Sequence, residues 1–156
     1  MKSPRSLFAA ALLLAAPFHA SAFETFEGDG FGDWQTTGSA FGLSPVHGKL
    51  DGMENPFTGY ADEAFALSAH GGDAAVGTLL SPEFTINQSY IAFLIAGGDH
   101  SGKTAVQLLV DGKVAKEVPG RRSQRFQPAM FDVTALTAKK ARLRFIHAAK
   151  GQCGFL

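Results

Sequence analysis

The chain is poor in cysteine: Cys153 is the one such residue among 156. No intrachain disulfide can form, so the fold must be held by packing and hydrogen bonding. It also lacks net charge, with 14 basic and 14 acidic residues. Without a basic field, nucleic acid and anionic membranes are poor partners for it. No segment reaches the run of about 18 apolar residues that a membrane helix needs. Amphipathic helical periodicity, internal repeats and low-complexity linkers are missing as well, which argues against bundles and solenoids.

What the chain has in quantity is glycine and phenylalanine, 18 and 14 residues respectively. That mixture suits tight turns around a packed β core. The first 22 residues read differently from the rest. Lys2 and Arg5 precede an apolar core over residues 7–16, and Ala20-Ser21-Ala22 forms a small-residue cleavage site. This is the pattern of a secretory signal peptide, which places the protein outside the cell or in the periplasm. Removing Lys2 and Arg5 leaves a slight acidic excess. Residues 23–156 then form one domain, large enough for a real core.

Short runs of alternating or apolar residues are spread along the remainder: 23–26, 34–37, 64–69, 76–80, 83–86, 90–96, 104–110, 113–116, 126–133 and 141–145. Turn residues separate them every 8–12 positions or so, the signature of an all-β sandwich. Asp111-Gly112 joins two of the runs. This dipeptide tolerates positive φ at both positions and predicts a type I′ hairpin. Ser81-Pro82 interrupts another run, and Pro128 suggests an edge strand. Residues 38–60 are rich in Gly and Pro with no period, a long surface excursion.

Residues 97–104, GGDHSGKT, satisfy the phosphate-loop pattern after a predicted strand. In that reading Lys103 and the loop amides hold phosphates and Thr104 holds Mg²⁺. The pattern requires a helix opening at Lys103. Ala105-Val106-Gln107-Leu108-Leu109-Val110 and the turn after it read as a strand instead, so a glycine loop joining two antiparallel strands, 90–96 and 104–110, is expected.

A wider set of residues resembles a known family. It comprises Phe26-Glu27 with Trp34, residues 38–42 (GSAFG), Gly71-Gly72-Asp73, residues 77–84 (GTLLSPEF), Tyr90-Ile91, residues 97–104 and residues 108–114 (LLVDGKV). Together they resemble the non-catalytic β-sandwich module that precedes the catalytic domain of secreted bacterial fructan hydrolases, the levanase-like members of glycoside hydrolase family 32. The resemblance covers nearly all of residues 23–156. It implies a jelly-roll sandwich of the galactose-binding or carbohydrate-binding-module type. The family module closes with a last strand after a Gly-Trp-Gly-His turn, whereas residues 151–156 here begin that turn and stop. The hydrolase propeller is not in this sequence, so its catalytic carboxylates transfer to no residue. The expectation is an accessory module, truncated, that is not itself an enzyme. Its expected partners are a polysaccharide such as fructan, or a catalytic hydrolase domain. A lost closing strand would expose residues 23–26 as an unpaired edge, open to self-association.

Candidate binding residues follow from chemistry. Sugar sites combine an aromatic face with a few placed polar groups. Trp34 and Tyr60 supply aromatics, though Trp34 reads first as a core residue. Asp73, Asp99, His100, Arg121, Arg122 and Arg125 supply polar groups on predicted loops, with Asp99 and His100 foremost. Glu24, Glu27, Asp29 and Asp33 lie close in sequence and carry the oxygen ligands a structural Ca²⁺ prefers. They match no recognised loop, so the alternative is a solvated acidic turn. The histidines show no ligand spacing and read as loop or packing residues.

Overall fold

The computed structural model describes residues 23–51, 53, 55–149 and 156, and of Asp73 the backbone only. The chain is all-β and antiparallel, as expected. Among the described residues ten strands form: β1 Gln35–Gly38, β2 Val46–His47, β3 Ala64–Phe65, β4 Gly77–Leu80, β5 Phe84–Thr85, β6 Tyr90–Gly97, β7 Thr104–Val110, β8 Lys113–Pro119, β9 Ser123–Asp132 and β10 Lys140–His147. Among the described residues two short 3₁₀ turns, Gly72–Ala74 and Thr134–Leu136, are the helical elements.

The larger sheet runs β1-β4-β10-β7-β8, with β5 also paired to β10. β4 and β5 lie along the same side of β10, opposite residues 144–147 and 140–141 respectively. They act as one strand broken at Ser81-Pro82, where proline cannot donate to the ladder. Ser81 repairs the break: its hydroxyl accepts the Leu143 N–H at 2.8 Å, and its N–H donates to the Leu143 carbonyl at 2.9 Å. The β7–β8 hairpin turns at Asp111 and Gly112, with φ of 51° and 73°, as a type I′ turn requires.

A second layer is built on the β6–β9 ribbon, in which Ile91 faces Phe131 and Phe93 faces Ala129. Ile95, Ala129 and Phe131 from this layer share the main core with Leu79, Val106, Leu108 and Leu143 from the large sheet. The period-2 alternation therefore turns one face of each layer inward. The long excursion builds a second, smaller core. Val46, Phe57, Phe65 and Leu67 pack with Ala96, and the half-buried Phe126 and Tyr60 join them. Phe126 is out of phase with Ala129 and Phe131 on β9, so this cluster covers the outer side of the ribbon. Farther along that side Tyr90, Leu94 and Met130 stay exposed, at 53, 39 and 55%.

Two sequence expectations change. Residues 23–26 are not a strand, because Phe26 takes a left-handed φ of 61° and the segment curls over its own glutamate. The edge expected there for self-association therefore does not exist; the large sheet ends at β1 and β8. β6 and β7 are also not partners: the loop between them crosses from one layer to the other. The residues expected to be a signal peptide, the incomplete turn of residues 151–155 and Cys153 with it lie outside the described residues.

Candidate functional site

Gly38, Gly77, His147 and Thr104 register side by side at one end of the large sheet. The crossing loop of residues 98–103 emerges at this end. It is folded on itself, with the N–H groups of Lys103 and Thr104 both donating to the His100 carbonyl at 2.9 and 2.7 Å. No helix opens at Lys103, so the phosphate-loop reading has no structural basis.

A carboxylate from the neighbouring hairpin holds the loop. Glu117 on β8 accepts the Ser101 hydroxyl at 2.7 Å and the Gly102 N–H at 2.8 Å. Its other oxygen accepts the Gln107 amide, and Gln107 in turn accepts the Arg144 guanidinium at 2.8 Å. Burial alone would raise the Glu117 carboxyl. The hydrogen bonds from Gln107, Ser101 and Gly102 and the Arg144 charge outweigh it and hold the group below its ordinary range. Glu117, Gln107 and Arg144 lie in one row across β8, β7 and β10. Nothing in the sequence reading singled out this row. Its one signal is a lone polar residue, Gln107, inside the apolar run of β7.

Beside this loop runs the β8–β9 connection. Gly120 lies so close that a Cβ there would stand 2.3 Å from the Gly98 carbonyl oxygen. Gly97 faces Ser123 across β6 and β9. The contact sets Asp99 against Arg122, with Oδ2 and Nε 3.4 Å apart. Both are exposed, at 45 and 79%, so the pair adds little stability. Arg122 has a φ of 52°, unusual for a residue with a side chain. Backbone strain of that kind clusters at functional sites. His100 and Arg121 are exposed at the same end.

The remaining candidates are placed elsewhere. Trp34 is 8% exposed, packed against Phe26 and Phe145 at 5.2 Å each, and donates its indole N–H to Glu24 at 2.9 Å. It precedes β1, the edge strand opposite β8, and is buried, so the core reading holds. Tyr60 stacks on Phe65 at 4.7 Å within the second core. Arg125 is exposed on β9, and its backbone bridges to Thr58. The Asp73 side chain is outside the described residues.

The four acidic candidates do not form a cation site. Glu24 accepts the N–H groups of Thr25 and Phe26 besides the indole. Glu27 caps the N–H groups of Glu63 and Ala64 at 3.2 and 2.9 Å. Asp29 and Asp33 are exposed. Among the described residues, no group of three or more His, Cys, Asp or Glu side chains could hold a metal ion. The histidines include two packing residues. His147 is 2% exposed, with its ring nitrogens on the carbonyls of Ser68 and Ala149. His70 packs over Gly42, and its burial lowers the pKa of the ring.

No protein-family model matches the chain. No solved structure matches it significantly. Over 137 residues, 86% of its length, the chain is 34% identical to the protein described as "Putative glycosyl hydrolase ecdE" from Aspergillus rugulosus. It spans 19% of that protein. The similarity is thus to one piece of a glycosyl hydrolase rather than to the whole.

Proposed function

We propose that the chain is a secreted, non-catalytic module that binds carbohydrate and works beside a glycoside hydrolase, of the kind attached to family 32 fructan hydrolases. One observation carries the reading: the Asp99–Arg122 pair, exposed yet set on two loops held together by the Gly98–Gly120 contact and the Glu117 carboxylate. A carboxylate, a guanidinium and the nearby His100 offer donors and acceptors to sugar hydroxyls from a preorganised frame. The similarity to one part of a glycosyl hydrolase supports the accessory role. Pull-down on polysaccharides, fructan included, tests it. Wild-type protein is retained, and Asp99→Ala and His100→Ala elute early. Equal retention of both variants would remove the site from these loops.

A second reading rests on a separate observation. Tyr90, Leu94 and Met130 form an exposed apolar face on the outer side of the ribbon. Faces of this sort mark packing surfaces, which favours a module that docks on a protein without a sugar ligand. Absence of binding to every polysaccharide, with Tyr90 and Met130 shielded in a complex with a hydrolase domain, would select it.

A further inference from the structure

The geometry points to a second saccharide subsite, for a single neutral sugar ring, in the cavity between β8 and the turn that follows β9. This rests on the carbohydrate-binding reading but uses different residues. Along β9 the cavity lies roughly 30 Å from the Asp99 loop, at about 3.3 Å per residue.

The cavity holds about 390 Å³ and is lined by Ala115, Lys116, Asp132, Thr134, Ala135 and Leu136. That volume falls in the range of small-molecule sites. Its lining divides by chemistry. Ala115, Ala135 and Leu136 supply an apolar floor for the C–H face of a sugar ring. Lys116, Asp132 and Thr134 supply a donor, an acceptor and a hydroxyl at the rim.

Asp132 and Thr134 are set in place by each other, and the Thr134 hydroxyl also reaches the Ser89 carbonyl at 3.5 Å. Asp132 Oδ1 accepts the Thr134 N–H at 3.0 Å, which closes the chain over the cavity. The bonds from the Thr134 backbone and side chain, with the Lys116 charge, hold the Asp132 carboxyl below its ordinary range. Lys116 feels Asp132 electrostatically but stands beyond ion-pair contact with it, leaving its ammonium donors available. One positive and one negative charge balance across the rim. The site therefore suits a neutral polyol and disfavours a phosphate or sulfate, which the carboxylate would repel. Across the strand pair from Asp132 stands Tyr90, 53% exposed and on the same face. Its ring extends the apolar surface beyond the cavity, where a second sugar unit of a chain could stack.

Titration of the protein with neutral methyl glycosides, and separately with inorganic phosphate, tests the site through backbone amide NMR shifts. The glycoside shifts are expected on residues 115–116 and 132–136, with phosphate leaving them unmoved. Lys116→Ala and Asp132→Asn should each weaken glycoside binding about tenfold, the scale of one charge-assisted hydrogen bond. Asparagine keeps an oxygen for the Thr134 N–H, and Lys116 is exposed, so both variants should melt like the parent. Shifts confined to residues 98–103 and 120–123, or full affinity in Lys116→Ala, would overturn this subsite while the carbohydrate-binding function stands. Phosphate binding as tight as glycoside at residues 132–136 would overturn the neutral-ligand assignment. Failure of every glycoside and polysaccharide to bind would overturn both readings.

Discussion

The carboxylate of Glu117 accepts the backbone N–H of Gly102 at 2.8 Å, joining two residues 15 apart in sequence. Through this contact a hairpin strand fixes the shape of the loop that carries Asp99 and His100. Glu117→Ala should leave the sandwich folded, cost about 1 kcal/mol as lost hydrogen bonds at a partly solvated site, and speed exchange of the Gly102 amide. Protection of Gly102 equal to the parent's would show that the loop holds itself.

The same carboxylate predicts a pH dependence. Its folded pKa is depressed below the ordinary value of 4.5. A depressed carboxyl stabilises the fold above the unfolded pKa and loses that contribution as pH falls through the folded one. Loop amide protection should hold from neutrality down to about pH 4.5 and fall below it. In Glu117→Gln that acid-side fall should vanish. Identical acid profiles for parent and variant would assign the fall to other groups.

Gly120→Ala should be among the costlier single-methyl changes. Its Cβ would stand 2.3 Å from the Gly98 carbonyl oxygen, backbone against backbone, with no flexible side chain to yield. A loss of about 1–3 kcal/mol is expected from overpacking, read as a lower urea midpoint. The two loops should also separate, so saccharide retention should drop beyond the stability loss. An unchanged midpoint would mean that the loops part freely.

Trp34 is the one tryptophan, so its fluorescence reports one site. Buried against Phe26 and Phe145, it should emit at short wavelength and shift red only on unfolding. Saturating saccharide should leave the emission where it is. Trp34→Phe should cost about 1–3 kcal/mol, because the Glu24 oxygen loses its donor along with packing volume. A saccharide-dependent shift in the parent would place the ring at a ligand.

Lys103→Ala tests the phosphate-loop pattern. The Lys103 carbonyl accepts the Ala148 N–H at 2.6 Å, a backbone contact that the substitution keeps. Parent and variant should both fail to bind ATP in calorimetry and should melt together. Saturable ATP binding lost in the variant would restore the phosphate reading.

Local chemistry alone determined the fold class, the Asp111-Gly112 hairpin and the break at Ser81-Pro82. Each depends on residues within a few positions: period-2 alternation, two residues that accept positive φ, and a proline without an N–H. The burial of Trp34 was also legible, since an apolar aromatic beside a short strand has few better places to go. Tertiary structure decided which strands share a sheet. β6 and β7 are neighbours in sequence but belong to different layers, because β6 finds its ladder with β9 and β7 with β8 and β10. It also set residues 23–26 as a curl instead of a strand, once the Glu24 carboxylate found the Trp34 indole. The Glu117–Gln107–Arg144 row and the Lys116–Asp132–Thr134 cavity arise the same way. Alternation states which residues share a face of one strand. Which strands then lie side by side is settled only by burial and ladder hydrogen bonds summed over the whole chain.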